Sequence, residues 1–202
     1  MKIYTIGYTG FSIEEFILTL KKHKINSVID VRSMPYSKIY SDYNEGNIKD
    51  TLRKCGVYYR NYKKEFGARQ ENELYYPHGY LDFSLFTKSE TFKEGMNRII
   101  SAIPLGYNFV LMCSEKKPID CHRCIMVAKA FYDNGLDVNN IISTGEFISQ
   151  SEIEKQLVDI YYPNRDQLSL FDEQLSWDEM VKNIYGYQNE KIGYRKDNEE
   201  NE

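Results

Sequence analysis

The sequence predicts an α/β protein in three layers, with a five-stranded parallel sheet between helices on both faces. Runs of consecutive apolar residues, typical of strands covered on both faces, alternate five times with segments of helical spacing. Right-handed crossovers leave few strand orders, and we expect the order 3-2-1-4-5, counted along the chain. A chain of 202 residues is long enough to bury such a core.

The boundaries of these elements follow from apolar runs, turn residues and helix caps. Strands are expected at residues 2–8, 27–31, 57–62, 108–113 and 138–142. Helices are expected at residues 12–23, 44–55, 92–103, 121–134 and 149–161. Capping boxes begin the first and last helices, whereas Asp120 is expected to cap the fourth and Gly135 to follow its end. Residues 63–85 have no clear period, and a connection of this length is typical of a lid or another functional segment.

The composition and charge of the chain indicate its domain organisation and its cellular compartment. Residues 1–162 are expected to form the α/β domain, and residues 163–202 a tail with a short helix. The net charge of -4 argues against a protein that binds polyanions over its whole surface. No apolar run reaches the roughly 18 residues of a membrane span, and the first residues do not resemble a signal peptide. We therefore expect a cytoplasmic protein with four reduced cysteines.

The fourth predicted strand and the helix after it carry the residues suited to chemistry. Cys113 ends the strand, and Cys121, His122 and Arg123 begin the helix. Ligands bind at this edge of an open α/β sheet, and the helix dipole and neighbouring cations favour a thiolate. Glu115 lies between them and is suited to orient His122 or to transfer protons. The predicted catalytic residues are therefore Cys113, Glu115, Cys121, His122 and Arg123.

Four residues from other strands are expected to face the same crevice, between the first and fourth strands. Gly7, Tyr8 and Thr9 follow the first strand, and Arg32 follows the second. A guanidinium at this edge is suited to clamp a phosphate or a carboxylate, so these four are the predicted ligand-binding residues. Two alternatives stay open: Arg32 forms an ion pair with Asp30 or Glu115, and Gly7 serves only a tight turn.

Other roles for the cysteines also stay open. A zinc site is the rival hypothesis, with Cys113, Cys121, Cys124 and His122 as ligands. The spacing is not that of a zinc finger, and adjacent residues on a helix point about 100° apart, so we predict no metal and no cofactor. A reversible disulfide between Cys113 and Cys121 is a further alternative. Cys124 falls on the apolar stripe of the helix and is expected to pack in the core.

Five short blocks of residues make the chain recognisable. They are Thr5-Ile6-Gly7-Tyr8-Thr9, Asp30-Val31-Arg32 with Pro35, Glu65-Phe66-Gly67, Met112-Cys113-Ser114-Glu115 and Cys121-His122-Arg123. With these blocks the sequence resembles the bacterial domain of unknown function 488 family over residues 2–142. The family usually has Gly-His-Ser where this chain has Gly7-Tyr8-Thr9. The resemblance implies the fold and the place of the site, whereas the family name records that no activity is established.

Two further segments predict partners. The segment from Arg53 to Arg69 carries six cations against one acid, with aromatic rings between them, as suits a nucleic-acid strand. The alternative for this segment is that its tyrosines pack and its lysines are solvated. In the tail, Gln167, Leu168, Ser169, Leu170 and Phe171 resemble the motif by which bacterial polymerases and repair proteins bind the sliding clamp. Three of these side chains form an apolar patch in a segment too short to bury them, so we expect the patch to dock on a partner or on the domain.

These features predict a cysteine-dependent enzyme that acts on an anionic substrate, either a nucleotide or a nucleic acid. The clamp-binding motif would tether this enzyme to DNA replication or repair. The alternative is an accessory protein that binds a phosphate ligand or nucleic acid without turnover. In a third hypothesis the cysteines only pack and the tail mediates self-association.

Overall fold

A six-stranded sheet lies at the centre of the computed structural model, which describes residues 1–165 and 175–196. The strands are β1 Lys2–Gly7, β2 Ser27–Asp30, β3 Tyr58–Asn61, β4 Phe109–Cys113, β5 Asp137–Ile141 and β6 Phe147–Ser149. Their order across the sheet is β3-β2-β4-β1-β5-β6. The first five strands pair in parallel, and β6 pairs antiparallel with β5.

The α/β class is confirmed, but the predicted number and order of strands are wrong. The structure places β4 between β2 and β1, whereas we expected β1 beside β2. Both β1 and β4 are apolar and almost entirely buried, so their residue patterns fit either position equally well. The sixth strand escaped prediction because it has only three residues after a turn in which Gly145 adopts a φ of 76°.

Eight α-helical segments of the described residues connect and cover the strands. They are α1 Ile13–Lys22, α2 Glu45–Lys54, α3 Lys63–Phe66, α4 Phe83–Phe86, α5 Glu90–Ala102, α6 Lys129–Asp133, α7 Gln150–Tyr161 and α8 Trp177–Ile192. The capping boxes predicted at the starts of α1 and α7 are both present. Gly135 has the predicted left-handed conformation after α6, with a φ of 80°. No described helix has the length and apolar character needed to cross a membrane.

Two hydrophobic clusters, one on each face of the sheet, give the three predicted layers. Along β4, Val110 and Met112 pack in one cluster with α1 and α2, whereas Leu111 and Cys113 pack in the other with α5, α6, α7 and α8. The chain therefore leaves β1 over one face and leaves β4 over the other. Because β1 and β4 are neighbours, with Gly7 beside Cys113, a crevice is expected between their carboxyl ends.

The last described helix belongs to the same core. Met180 and Ile184 of α8 join the cluster that contains Cys113, so this helix folds back on the domain. The Asn189 side chain donates to the carbonyl of Leu81 at 2.8 Å and accepts from the amide of Phe83 at 2.9 Å. This contact fixes one end of the irregular connection at residues 63–85. The helix has 16 residues and is longer than the short tail helix that we predicted.

Candidate thiol site at the carboxyl edge of the sheet

The loop after β4 returns two cysteines to one place. A 3-10 turn at Pro118–Asp120 is followed by Cys121, which is extended with φ -136° and ψ 134°. A π-helical segment, Arg123–Ala128, then continues into α6. The expected cap from Asp120 is wrong, since no side chain caps this helix start; instead the carbonyl of Cys121 accepts from the amides of Cys124 and Ile125. π-helical turns of this kind often occur at functional sites.

The structure brings four of the five predicted catalytic side chains together. The polar end atoms of Cys113, Glu115, Cys121 and His122 all lie within 4.8 Å of one another. The Cys121 thiol donates to Glu115 Oε2 at 2.7 Å, and Cys113 Sγ lies 3.9 Å from His122 Nδ1. Each thiol is therefore in contact with a different ionisable side chain of the group. We call these four side chains the thiol cluster.

The ring of His122 is oriented by the neighbouring strand. Its Nε2 lies 3.0 Å from the carbonyl of Val31, just beyond β2. A carbonyl only accepts, so Nε2 carries a proton and the neutral ring turns the lone pair of Nδ1 toward Cys113. Burial lowers the pKa of His122, but its hydrogen bond and attraction to Cys121 and the charge of Glu115 outweigh this and raise it.

Arg123 supplies a buried positive charge beneath the cluster. Its side chain is 0% exposed, and its Nη1 donates to the carbonyl of Glu115 at 2.5 Å. Its Nε has no hydrogen-bond partner, and no carboxylate of the described residues pairs with the guanidinium. A buried charge is costly unless an opposite charge compensates it. The largest compensating charge is that of the Cys121 thiolate, and the carboxylate of Glu115 adds to it.

The two thiols differ in acidity because their surroundings differ. Burial raises the pKa of Cys121, but contacts with Cys113 and His122 and the charge of Arg123 outweigh this and lower it. Burial and the neighbouring Cys121 raise the pKa of Cys113 well above its ordinary value. Partial desolvation raises the pKa of Glu115, yet the charge of His122 and hydrogen bonds from both thiols lower it to about 2. At neutral pH Cys121 is therefore the thiol that ionises.

Gly7 and Thr9 hold the loop of the thiol cluster against β1. A Cβ atom on Gly7 would lie 1.8 Å from the carbonyl oxygen of Glu115 and 2.9 Å from Arg123 Nη2, so only glycine fits there. The backbone amide and hydroxyl of Thr9 donate to the carbonyl of Ser114 at 3.2 and 2.8 Å. Both predicted ligand-binding residues thus shape the loop in this structure.

Tyr8 and Arg32 lie beside the cluster in a second buried group. Tyr8 stacks on Tyr43 with 4.3 Å between ring centroids, and the guanidinium of Arg32 lies 5.0 Å from the Tyr8 ring. Arg32 Nε and Nη2 donate to the carboxylate of Asp30, which also accepts from Tyr59 at 2.7 Å. The ion pair that we weighed for Arg32 is therefore formed. Arg32 Nη1 has no hydrogen-bond partner.

Access to the thiol cluster is narrow. Cys113 and Cys121 are each 1% exposed, whereas Glu115 is exposed and His122 is partly exposed. Glu115 therefore stands at the mouth of the site. A larger cleft of about 740 Å³ lies elsewhere, between α8 and residues 78–88, with Ile125 and Met126 in its wall. None of the predicted catalytic residues lines that cleft, so its size does not bear on the thiols.

The thiol cluster differs in one residue from the set of zinc ligands considered from the sequence. We argued that Cys121 and His122 would diverge, but Cys121 precedes the helix in extended conformation, so its sulfur turns back toward the histidine. Glu115 joins the group in place of Cys124, whose Sγ contacts Gln150 Oε1 at 3.6 Å. Zinc accepts thiolate sulfur, imidazole nitrogen and carboxylate oxygen as ligands, and the cluster offers two, one and one of these. Because a bound metal ion would block both thiols, experiments on these cysteines need a chelator.

The basic segment from Arg53 to Arg69 is divided between core and surface. Tyr59 and Phe66 are buried, so their rings do not face solvent, whereas Tyr58 is exposed on the edge strand β3. The cations of Lys63 and Lys64 lie on the exposed side of α3. Part of the segment thus packs, and its charges remain at the surface. The predicted clamp-binding motif, residues 167–171, lies outside the described residues.

Sequence reasoning missed one contact on the loop itself. Gln188 of α8 is 2% exposed and donates to the carbonyl of Ile119 at 2.6 Å, while Tyr161 donates to Gln188 Oε1 at 2.7 Å. The spacing of Met180, Ile184 and Gln188 by four residues places all three on one helix face, which was the available signal. The carbonyl of a loop residue, however, has no signature in a sequence.

Comparison with known proteins places the chain in a family without assigning it an activity. Neither the curated proteins nor the solved structures gave a match. A family profile described as "Domain of unknown function DUF488" matches residues 12–130. This range covers more than half of the chain and includes Arg32 and the whole thiol cluster. The chain therefore belongs to the DUF488 family.

Proposed function

We propose that the protein is a cysteine-dependent enzyme in which the thiolate of Cys121 attacks an anionic substrate. One observation carries this proposal: the Cys121 thiol donates to Glu115 at 2.7 Å and lies within 4.8 Å of the His122 imidazole, while the buried Arg123 has no carboxylate partner among the described residues. A nucleophilic cysteine needs both a proton acceptor and a nearby cation. His122 takes the proton, because the pKa of Glu115 is too low for that role, and Arg123 supplies the cation.

The chemistry begins with a proton transfer inside the thiol cluster. His122 takes the proton of Cys121, which attacks the substrate as a thiolate, and the imidazolium of His122 then protonates the leaving group. Imidazolium of His122 and guanidinium of Arg123 stabilise the negative charge that develops. Because Glu115 is the exposed member of the cluster, the substrate enters by displacing its side chain.

An anionic substrate fits the charges around the cluster. Arg123 is buried without a carboxylate partner among the described residues, and Arg32, although paired with Asp30, keeps its Nη1 nitrogen without a hydrogen-bond partner. Lys116 and Lys117 lie exposed on the same loop. Phosphate groups bind where such donors and cations converge. This supports a nucleotide or nucleic acid as the substrate class.

The alternative is an accessory protein that binds a phosphate ligand or nucleic acid without turnover. The burial of both sulfurs favours it, since a nucleophile must reach its substrate. The two proposals make opposite predictions for thiol reactivity, because ligand binding alone does not require a reactive Cys121.

Alkylation by iodoacetamide at neutral pH separates the two proposals. Cys55 is exposed and provides a reference thiol in the same chain, and Cys124 provides a buried one. We expect Cys121 to react faster than Cys55, Cys124 to stay unmodified, and added nucleotide to slow Cys121 selectively. A rate at Cys121 no faster than at Cys55, measured by peptide mass spectrometry with chelator present, would refute the enzyme proposal and favour the accessory protein.

We further propose that residues 167–171 tether the protein to the sliding clamp, and so to DNA replication or repair. The support is the sequence alone: Leu168, Leu170 and Phe171 need a partner surface, and a cavity lined by apolar side chains would supply it. Phe171→Ala should abolish capture by the clamp in a pull-down, and Ser169→Ala should weaken it less. Absence of capture by the unaltered protein would exclude the tether.

Nucleic-acid binding by the basic segment has its own test. The exposed cations Lys63 and Lys64 are expected to contact phosphates, so the double substitution Lys63→Glu with Lys64→Glu should lower affinity for single-stranded DNA. Charge contacts also make binding weaken as salt rises. Fluorescence anisotropy at two salt concentrations measures both effects. Binding that ignores salt, or that survives the double substitution, would contradict this part of the proposal.

A further inference from the structure

The thiol cluster holds two cysteines in contact range. Their sulfurs lie within 4.8 Å of each other. Cys121 contacts the carboxylate of Glu115, and Cys113 contacts Nδ1 of His122. A single nucleophilic thiol does not need a second thiol beside it. The formation of a disulfide requires two neighbouring thiols and a base for the second one, and Cys113 with His122 meets both requirements.

The burial of the pair selects what can reach it. Cys113 and Cys121 are each 1% exposed, and Glu115, which contacts Cys121, is the exposed member of the cluster. A molecule the size of a hydroperoxide reaches buried sulfurs more easily than a protein disulfide does. Cys124 is not part of this arrangement, since its sulfur contacts Gln150 and burial raises its pKa to about 12.

We propose that hydroperoxides convert Cys113 and Cys121 into a reversible disulfide, with Cys121 as the attacking thiol and Cys113 as the resolving thiol. The inference rests on the proposed function in one respect, because it uses Cys121 as the reactive thiolate. It adds a redox control of the same site. While the disulfide exists, Cys121 is unavailable to the substrate.

The chemistry balances in two steps. The Cys121 thiolate attacks one peroxide oxygen, the O–O bond breaks, and the alcohol or water leaves with a proton from the imidazolium of His122, which becomes neutral. The sulfur becomes a sulfenic acid, oxidised by two electrons, and the peroxide is reduced by two. Cys113 then gives its proton to neutral His122 and attacks the Cys121 sulfur. The S–S bond forms, the S–O bond breaks, and hydroxide leaves as water with that proton.

The test is oxidation of the full chain by hydrogen peroxide, followed by peptide mass spectrometry without reduction. Cys55→Ser removes the exposed thiol, and a chelator removes metal. Trypsin separates the three buried cysteines, because Lys116 lies between Cys113 and Cys121 and Arg123 lies between Cys121 and Cys124. We expect a cross-linked pair of peptides carrying Cys113 and Cys121, lighter by two hydrogen atoms and released by dithiothreitol.

Matched variants identify the role of each thiol. Cys113→Ser should lose the cross-link and accumulate sulfinic acid on Cys121, because no resolving thiol remains. Cys124→Ser, which alters a buried cysteine outside the cluster, should form the cross-link as before. A cross-link that includes Cys124, direct sulfinic acid on Cys121 in the unaltered cluster, or no oxidation at all would overturn the inference. Each of these contradicting results is observed with the thiol cluster unaltered. The inference can therefore be tested even if Cys113→Ser does not fold.

Failure of this inference is distinguishable from failure of the proposed function. If Cys121 alkylates faster than Cys55 but forms no cross-link with Cys113, the thiolate enzyme stands and the redox control falls. If Cys121 neither alkylates rapidly nor oxidises, both fall.

Discussion

Two buried arginines lie at the same edge of the sheet and differ in what balances their charge. Arg32 is 4% exposed and donates to the carboxylate of Asp30 through Nε at 2.9 Å and Nη2 at 2.5 Å. Arg123 is 0% exposed, and its guanidinium meets the backbone carbonyls of Glu115 and Lys116. A carbonyl offers a dipole, whereas a carboxylate offers a full charge.

The difference separates a structural arginine from one that acts on its neighbours. The ion pair with Asp30 neutralises Arg32 within the fold, and the Tyr59 hydroxyl completes that pair. Arg123 keeps its charge available to Cys121, whose pKa it lowers. Judged by residue type and burial alone, Arg32 and Arg123 would be assigned the same role.

The largest expected effect comes from breaking the Arg32 pair. Arg32→Met leaves the Asp30 carboxylate buried without its cation, so the free energy of unfolding should fall by about 3–5 kcal/mol. Urea denaturation monitored by circular dichroism measures it. Restoring neutrality with Arg32→Met and Asp30→Asn together should recover part of the loss. An Arg32→Met protein as stable as the parent would mean that Asp30 does not depend on Arg32.

The next effect concerns the hydroxyl that completes the same pair. Tyr59→Phe removes a hydrogen bond of 2.7 Å to a buried carboxylate, which is worth about 1.5–3 kcal/mol. Urea denaturation again gives the value, and Tyr58→Phe, on the exposed neighbour, is the matched control with little expected change. Equal effects of the two substitutions would show that the hydroxyl contact contributes nothing specific.

Arg123→Met should act mainly on the reactivity of Cys121. Loss of the buried cation raises the pKa of the thiol, and at neutral pH the rate of alkylation should fall on the order of tenfold, equivalent to about 1.4 kcal/mol. Arg32→Met is the control, since its charge is balanced by Asp30, and it should change the rate little where the protein remains folded. An equal loss of Cys121 reactivity in Arg123→Met and Arg32→Met would contradict the different roles assigned to the two arginines.

The smallest expected effect concerns Glu115 and acid. Its pKa is lowered to about 2 in the folded chain, below the ordinary value near 4.3. A carboxyl group with a depressed pKa stabilises the fold above its unfolded pKa, and that contribution is lost as the pH falls toward 2. In Glu115→Gln, the free energy of unfolding should therefore fall less between about pH 4.3 and about pH 2 than it does in the parent protein. Urea denaturation at several pH values measures this difference. An unchanged pH profile in Glu115→Gln would place the acid sensitivity in another carboxyl group.

The sequence carried enough information for the class of fold and for the convergence of Cys113 and Cys121, but not for the details of their surroundings. Apolar runs predicted the buried strands, and the positions of Cys113 and Cys121 at element ends predicted their convergence. The strand order was inaccessible because β1 and β4 have the same apolar pattern. The position predicted for the Cys121 sulfur relative to His122 is wrong because Cys121 is extended and precedes the helix.

The roles of Gly7 and Arg32 depend on contacts far apart in the sequence. Gly7 is required by the carbonyl of Glu115, which approaches from a loop more than a hundred residues away. Arg32 had two reasonable partners in the sequence, and only the geometry at the end of β2 selects Asp30. Such choices are made by tertiary packing and leave no local signal.

The most direct test of the central claim is a pH titration of thiolate absorbance near 240 nm. It compares the protein carrying Cys55→Ser with the same protein carrying also Cys121→Ser, each with chelator present. The account predicts a thiolate step well below the ordinary cysteine pKa of about 8.5, absent in the Cys121→Ser protein and retained with Cys124→Ser. Superimposable titrations of the first two proteins below pH 8 would contradict the claim that Cys121 is the ionised thiol of this site.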